Sequence, residues 1–338
     1  MLPPDQSVRR GFYTERYKMP PANRQNPQRV KSSQSLYSLR EFMAEFPDDA
    51  ACLEWLWRTR FSPDGEHAHC PKCDTERNFK RYATKQRRQS WTCTGCGHHI
   101  HPTSGTIFAK SSISLADWFY AMFLVSSSRC GIAAKQLERE LGCNYKTAWR
   151  MLNKIRNVLM EQDEEPLSGE VEVDETFIGG KLRNADRRRA AVERPGQRPY
   201  TWKTRAVVFG AVERGGRIRA SVVPNSQAST LMPITRRYVL PESMIFTDEW
   251  KAYEGLGKAG YRHRRIRHTA SIYVEGDVHT QTIDGFFGHW KTDVRGTHHS
   301  ISRRWLLGYL NEWVWKWNRR DDDEAMFRQL IGSAAQPV

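Results

Sequence analysis

The sequence has 338 residues and carries 53 lysines and arginines against 38 acidic residues, a formal charge of +15. Its length favours more than one domain, and a hydrophobic content of 39% is enough to build cores, which excludes a chain disordered throughout. Residues 118–125 form the longest apolar run, far short of the ~20 residues that cross a bilayer, and the first residues lack a signal-peptide pattern. We therefore expect a basic cytoplasmic protein, associated with the nucleoid and not with a membrane, whose partner is a polyanion such as nucleic acid.

The N-terminal region begins with a segment that shows no periodicity. Residues 1–36 are rich in proline, arginine, glutamine and serine, so we predict a disordered basic arm that either contacts DNA phosphates or is only solvated. Ser38 and Glu41 form a capping-box pattern that opens a first helix, and Asp48 or Asp49 caps a second. We assign residues 37–110 to these helices and to the cysteine motif that follows them.

The cysteine motif consists of two pairs with the spacing of metal knuckles. Thiolates three positions apart on a turn bind one metal from the same side, and two such turns complete a tetrahedron that suits zinc. The four residues are Cys70, Cys73, Cys93 and Cys96. The alternative is a pair of disulfides in a secreted protein, which the missing signal pattern and three further cysteines disfavour. We predict a structural zinc ribbon.

Residues 111–160 have the pattern of a helix-turn-helix. Leu137 and Leu141 mark one helix face, Gly142 breaks the chain, and Asn144 can cap a second helix with an apolar stripe that starts at Tyr145 and Trp149. The candidate DNA contacts on this second helix are basic: Lys146, Arg150, Lys154 and Arg156. An ordinary helical hairpin with a solvated basic face is the alternative.

Beyond an acidic linker at 161–169, the composition changes to strands. We predict strands at 170–179, 204–214, 217–225 and 243–248, a helix at 228–239, and a basic loop at 181–205. This order is typical of an α/β or α+β domain, which we place at 170–325, followed by a tail at 326–338. The chain as a whole is predicted to be a multidomain α+β protein.

Three carboxylates of the second half are candidates for a metal site. Strand alternation places Val171 and Val173 on one face and Glu172 and Asp174 on the other, and Asp248 ends a strand that is apolar on both faces. An acid at the end of a buried strand is unfavourable without a partner such as a metal. The third carboxylate is Asp284, and Lys291, two helical turns further along the same helix face, could hold a phosphate nearby. The three aspartates suit two Mg²⁺ (or Mn²⁺) ions; the alternative is three unrelated surface or capping acids.

Several blocks, taken together and in order, resemble a known family. They are CPKC and CTGC, GTIFAKS (105–111), KQLERELGCNYKTAWRMLNKIR, VEVDETFIGGK (171–181), FTDEWKAY (246–253), HTQTIDGFFGHWK (279–291), GTHHSIS (296–302) and YLNEWVWKWNRR (309–320). The sequence resembles bacterial insertion-sequence transposases of the DDE type with an N-terminal zinc ribbon, relatives of the Merlin superfamily. The resemblance extends over residues 38–325.

The resemblance implies an RNase H-like catalytic domain with a mixed sheet, Mg²⁺-dependent cleavage and strand transfer of DNA ends, recognition of terminal inverted repeats, and a dimer or larger synaptic assembly. It places the family's acids at Asp174, Asp248 and Asp284 and its lysine at Lys291. The third acid of the family is usually Glu and in some branches Asn. The shorter Asp284 would require its helix to lie closer to the other two acids.

The sequence thus predicts a DNA transposase. A non-catalytic DNA-binding protein derived from a transposase is the main alternative, and an RNase H-like nuclease or resolvase without strand transfer is a further one.

Overall fold

The computed structural model describes residues 36–82, 89–179, 205–266 and 279–337, together with 188, 192 and 193. The predicted arm and most of the basic loop at 181–205 lie outside the described residues. Within them, a four-stranded antiparallel sheet precedes a five-stranded mixed sheet, so the protein is α+β. No helix in this part of the chain combines the length and apolar character that crossing a membrane requires.

Two short helices lead into the first sheet, as predicted. Helix α1 (Leu39–Glu45) begins with the capping box of Ser38 and Glu41, and helix α2 (Asp49–Arg60) begins where the Asp48 carboxylate accepts a hydrogen bond from the Ala51 amide. The strands follow in sequence order, with each paired antiparallel to the next: β1 (His67–Cys70), β2 (Thr75–Tyr82), β3 (Ser90–Cys93) and β4 (His99–Ile100).

Three helices follow, and the last two form a hairpin. They are α3 (Leu115–Ser127), α4 (Ala134–Leu141) and α5 (Tyr145–Lys154), and α5 continues into a π-helical turn at Ile155–Leu159. Gly142 ends α4 at a φ of 61°, which favours glycine, and the Asn144 side chain caps α5, as predicted. The predicted apolar stripe was wrong at its first residue: Tyr145 is 48% exposed, and α5 packs through Ala148, Met151 and Leu152.

The mixed sheet has the strand order β7-β6-β5-β8-β9. Its strands are β5 (Glu170–Ile178), β6 (Ala206–Glu213), β7 (Ile218–Val223), β8 (Met244–Thr247) and β9 (Arg262–Arg265). Neighbours are antiparallel from β5 to β7, whereas β5, β8 and β9 run parallel. The apolar pattern of β8 correctly predicted a central strand. Strand β9 was not predicted because its residues, Arg-His-Arg-Arg, carry no apolar alternation.

Helices cover both faces of this sheet. Helix α6 (Ala228–Tyr238) packs Leu231 against the face formed by Val171 and Val173. Helices α7 (Gln281–Asp293) and α8 (Leu306–Asn318) contribute to the core on the opposite face, which contains Val208 and Val212. The predicted alternation of β5 is therefore correct.

The predicted C-terminal tail is instead a helix, α9 (Met326–Ala334), that belongs to the N-terminal core. The Phe327 ring stacks on that of Tyr37 with a centroid separation of 4.9 Å, and Arg328 binds the Glu45 carboxylate through both terminal nitrogens at 2.5 and 2.6 Å. The prediction of a tail from residue 326 onwards was wrong because this short segment packs against residues about 280 positions earlier in the chain. Local periodicity does not reveal such distant contacts.

Candidate metal and catalytic sites

The two cysteine pairs converge at one end of the first sheet. The sulfurs of Cys70, Cys73, Cys93 and Cys96 all lie within 4.8 Å of one another. The Cys70 and Cys96 sulfurs are 3.6 Å apart, and those of Cys73 and Cys93 are 4.0 Å apart. Tetrahedral zinc with Zn–S bonds of ~2.3 Å separates its sulfurs by about 3.8 Å. The donor set and its spacing therefore fit a metal ion of the zinc type.

The surroundings of Cys93 favour a thiolate. Burial alone would raise the pKa of this thiol, but the backbone amides of Cys96 and Gly95 point at the sulfur. Together with the neighbouring thiols they lower its pKa to about 7. Metal-binding cysteines are deprotonated, so the amides prepare Cys93 to act as a ligand.

The basic residues of α5 separate into two groups. Lys146 and Arg150 are exposed, and the Lys154 ammonium donates a hydrogen bond to the Ile107 carbonyl oxygen at 3.1 Å. Arg156 contradicts the prediction of a DNA contact: its side chain is 3% exposed and pairs with Glu312 at 2.7 Å. It lies in the π-helical turn that follows α5, where the guanidinium points into the protein, so it is removed from the candidate DNA contacts.

Asp174 of β5 and Asp248, the residue directly after β8, stand at matching positions along two neighbouring parallel strands. In the register of β5 with β8, Glu172 lies beside Phe246, and each aspartate follows two residues later. Parallel strands are about 4.8 Å apart, so the two acids are neighbours across the sheet. The sequence pattern had suggested that Asp174 lies at the end of its strand. Strand β5 instead continues past Asp174 to Ile178, because it remains paired with β6, so Asp174 lies within the strand.

The carboxylates around Asp174 oppose its ionisation. Burial raises the pKa of Asp174 well above its usual range, and the charges of Glu175, Asp248 and Asp284 raise it further. Glu175 lies on the other face of β5, where its carboxylate accepts a hydrogen bond from the Tyr253 hydroxyl at 2.6 Å. Successive side chains of a strand point to opposite faces, so Glu175 points away from Asp174.

Asp284 and Lys291 are both on α7, where Asp284 is exposed in the first turn and accepts a hydrogen bond from the Thr280 hydroxyl at 3.1 Å. Burial lowers the pKa of Lys291, whereas the charges of Asp174 and Asp284 act to raise it. Asp174 thus lies within electrostatic range of the other three predicted residues, Asp248, Asp284 and Lys291. Over the residues described, only the four cysteines form a cluster of three or more metal-ligand atoms within 4.8 Å.

Glu172 is a residue whose importance the sequence did not reveal. Its side chain is fully buried, and one carboxylate oxygen accepts hydrogen bonds from the backbone amides of Thr282 and Ile283 at 2.8 and 3.1 Å. The other oxygen accepts from the Thr282 hydroxyl at 3.1 Å and from Nε of Arg214 at 3.0 Å. Thr280 occupies the N-cap position of α7, but its side chain makes no capping hydrogen bond. The sequence signal for Glu172 was a glutamate between two buried valines, Val171 and Val173.

Gly210 explains how α7 comes close to β5. This glycine is paired with Asp174 in the ladder between β5 and β6. A Cβ atom at Gly210 would lie 2.8 Å from side-chain atoms of both Ile283 and Phe287, closer than such contacts occur. The missing side chain therefore leaves the space that the first turns of α7 fill.

A cavity of about 370 Å³ opens beside Lys291. Its apolar wall includes Phe177 and Ile301, and the basic side chains of its lining are Arg205, Lys291, Arg295 and His299. No carboxylate contributes to this lining over the described residues. Cations held together in this way repel one another unless an anion is present, so the cavity suits a phosphate group.

Comparisons with known proteins agree with this arrangement. A family model, the ISXO2-like transposase domain, matches residues 166–318, which include the three aspartates and Lys291. An uncharacterized transposase-like protein of Haemophilus influenzae is 30% identical over 112 residues, 32% of this chain and 89% of that protein. An uncharacterized protein in transposable element ISH50 of Halobacterium salinarum is 26% identical over 244 residues, 70% of this chain and 77% of its own. The chain therefore belongs to the insertion-sequence transposases with an ISXO2-like transposase domain.

Proposed function

We propose that the protein binds the terminal inverted repeats of its insertion sequence and catalyses metal-dependent cleavage and strand transfer of the DNA ends. The observation that carries this proposal is the matched position of Asp174 and Asp248 on parallel strands, with the helix of Asp284 and Lys291 beside them. Three carboxylates and a lysine are the groups that phosphodiester chemistry with two metals requires.

The carboxylates fit Mg²⁺ because oxygen ligands suit this hard cation. Burial, and after it the charges of neighbouring carboxylates, raise the pKa of Asp174, and a bound cation would offset both effects. When bound, the metal would supply activation of a water or a 3′-hydroxyl and stabilisation of the leaving oxygen. Asp174, Asp248 and Asp284 would hold it. Lys291 and the basic cavity would hold the phosphates of the DNA strand that passes the acids.

The sheet supports an RNase H-like assignment for this half. Three antiparallel strands are followed by two parallel ones, and the second half of the region supplies a helix that crosses the sheet next to Asp174. The parallel pairing of β5 with β8, which Asp248 directly follows, supports the arrangement of acids that the family resemblance implies.

The N-terminal half of the chain would bind the DNA ends of the insertion sequence. Lys146 and Arg150 on the exposed side of α5, with Lys154, would contact phosphates in a helix-turn-helix arrangement, and the zinc ribbon would support them. Strand transfer joins two transposon ends to one target, so we propose that the protein works as a homodimer or a larger synaptic oligomer on double-stranded DNA.

Alanine variants of the acids test the proposal. Asp174→Ala and Asp248→Ala should lose Mg²⁺-dependent cleavage of a native element end and keep their affinity for that end in a gel-shift assay. Asp323→Ala, an exposed acid in the segment before α9, is the matched control and should cleave normally. Cleavage retained by either acid variant would overturn the proposal.

The wild-type protein also separates the alternatives. Binding without cleavage favours a non-catalytic DNA-binding protein, and cleavage of a linear end without joining to a plasmid target favours a nuclease or resolvase.

A further inference from the structure

Glu172 connects two parts of the candidate catalytic site. It is two residues before Asp174 on β5, on the same face, and it accepts both backbone amides at the start of α7. These amides belong to the first turn, where a helix has no internal acceptors for its N–H groups. A carboxylate there also interacts favourably with the helix dipole. The helix that carries Asp284 is thus fixed to the strand that carries Asp174.

Arg214 completes the anchor. Its Nε binds Glu172, a terminal nitrogen donates to the His279 carbonyl oxygen at 2.9 Å, and its guanidinium lies 3.8 Å from the ring centroid of Phe246 on β8. His279 Nδ1 lies 3.2 Å from the Glu172 carboxylate. The ion pair of Glu172 with Arg214 therefore holds His279, which precedes α7. Arg214 also packs against β8, the strand directly before Asp248.

Within the part of the chain that the structure describes, the buried Glu172 carboxylate is bound by these groups. Glu172 is fully buried, and an ionised carboxylate in such a place is stable only with hydrogen-bond donors and a countercharge. Its two oxygens accept from backbone, hydroxyl and guanidinium donors that belong to Thr282, Ile283 and Arg214. Both oxygens are thus engaged by donors, so we treat Glu172 as a structural acceptor and not as a further metal ligand.

We infer that Glu172 is the positioning residue that sets the distance between Asp284 and the other two acids. The inference rests on the proposed function, because it concerns the site that the three aspartates form. It also bears on the short third acid: Asp284 lacks one methylene of a glutamate, and the two amides bound by Glu172 hold its helix close to the sheet.

The test uses the full-length protein and Fe²⁺ as a substitute for Mg²⁺. With ascorbate and peroxide, bound Fe²⁺ cuts the polypeptide next to its ligands, and mass spectrometry locates the cuts. The wild type should be cut near all three aspartates. Glu172→Gln keeps the size of the side chain but loses its charge, so it should lose the cut near Asp284 and keep the cuts near Asp174 and Asp248.

Hydrogen exchange supplies a readout that needs no metal. In Glu172→Gln, peptides from the first turns of α7 should exchange about tenfold faster, as expected when a hydrogen bond to a charged group is lost. Peptides from β6 should be unchanged. Glu213→Gln is the matched control, because the Glu213 carboxylate also accepts a backbone amide, that of Ser168 at 2.8 Å, but does not contact α7. It should leave the cuts and the exchange of α7 unchanged.

A Glu172→Gln protein with the wild-type cut near Asp284 and wild-type exchange in α7 would overturn the inference. If the wild type is cut near none of the aspartates, the proposed function fails, whereas the exchange data still decide whether Glu172 anchors α7. If Glu172→Gln does not fold, Thr282→Val decides, since it removes only the hydroxyl donor. Faster exchange confined to α7 would then support the anchor, and unchanged exchange would refute it.

Discussion

Gly210 lies directly opposite Asp174 in the antiparallel ladder, and the space above this glycine is filled by Ile283 and Phe287 of α7. The approach of the helix that carries Asp284 thus depends on a residue without a side chain. Strand, glycine and helix together determine how close the candidate acids lie.

Gly210→Ala tests this close approach. The added methyl group meets two packed side chains at 2.8 Å, so α7 must move outward. We expect a loss of about 1–3 kcal/mol in the free energy of unfolding and a clear reduction in cleavage with end binding retained. Gly332→Ala, in α9, is the control because its Cβ would meet no atom within 4 Å. A Gly210→Ala protein with full stability and cleavage would contradict the prediction.

Asp174→Asn should stabilise the metal-free protein while it abolishes cleavage. Burial and the charges of neighbouring carboxylates raise the pKa of Asp174. A carboxyl with a raised pKa in the folded state destabilises that state above its unfolded pKa of about 3.9, and the penalty is absent below that pH. The melting temperature of the variant should therefore exceed that of the wild type at pH 8, and the difference should vanish near pH 4. A lower melting temperature at pH 8 would be evidence against this.

Cys96→Ser should remove the ribbon metal. The loss of one sulfur from a four-ligand site leaves an incomplete tetrahedron, so zinc content should fall from about one per chain towards zero. Amide exchange in β1 to β3 should accelerate at the same time. Cys130→Ser changes an exposed cysteine outside the cluster and should keep its metal. A ribbon that stays protected without zinc would show that the cluster does not need a metal.

Arg156→Met should destabilise the protein strongly. Arg156 and Glu312 form an ion pair in which both side chains are at most 3% exposed, and removal of Arg156 leaves the buried Glu312 carboxylate with Lys316 as its remaining countercharge. The expected loss is about 3–5 kcal/mol in chemical denaturation. Arg237→Met breaks an exposed pair with Glu164 and should change stability by less than about 1 kcal/mol.

The partner of Arg156 adds a pH test. Burial alone would raise the pKa of Glu312, but Lys316 and Arg156 outweigh it and lower the pKa to about 2. The resulting stabilisation is complete above the unfolded pKa of about 4.3 and is lost as the pH falls towards 2. Glu312→Gln should lack this part of the acid dependence. An unchanged dependence would contradict the assignment.

Lys146→Ala and Arg150→Ala should weaken end binding in a salt-dependent way. Each phosphate contact that is lost should lower the slope of log Kd against log salt by about one, measured by fluorescence anisotropy. Arg237→Ala, on the exposed side of α6, should leave the slope unchanged. Equal slopes in all these proteins would exclude α5 from the DNA contact surface.

The sequence predicted those features that local spacing determines. The cysteine pairs, the caps at Ser38 and Asp48, the turn at Gly142 and the alternation of β5 were all correct. The sequence patterns could not predict contacts between residues that are far apart in the chain. Arg156 seemed a surface cation because its partner Glu312 is 156 residues away, and Glu172 seemed one more polar residue because its partners lie on β6 and α7. A charged side chain can be buried where a residue elsewhere in the chain binds it. The periodicity of the local sequence does not identify that residue.

The position of α9 has a consequence for how this protein is made. Its residues Phe327, Leu330 and Ile331 belong to the same core as Phe42 and Phe123. The N-terminal core is therefore completed by the last helix described. During synthesis on the ribosome, α9 emerges after the whole mixed sheet. The core that contains the ribbon and the helical hairpin is therefore complete only when α9 has been made. A chain that ends within the mixed sheet would lack the helix that completes this core.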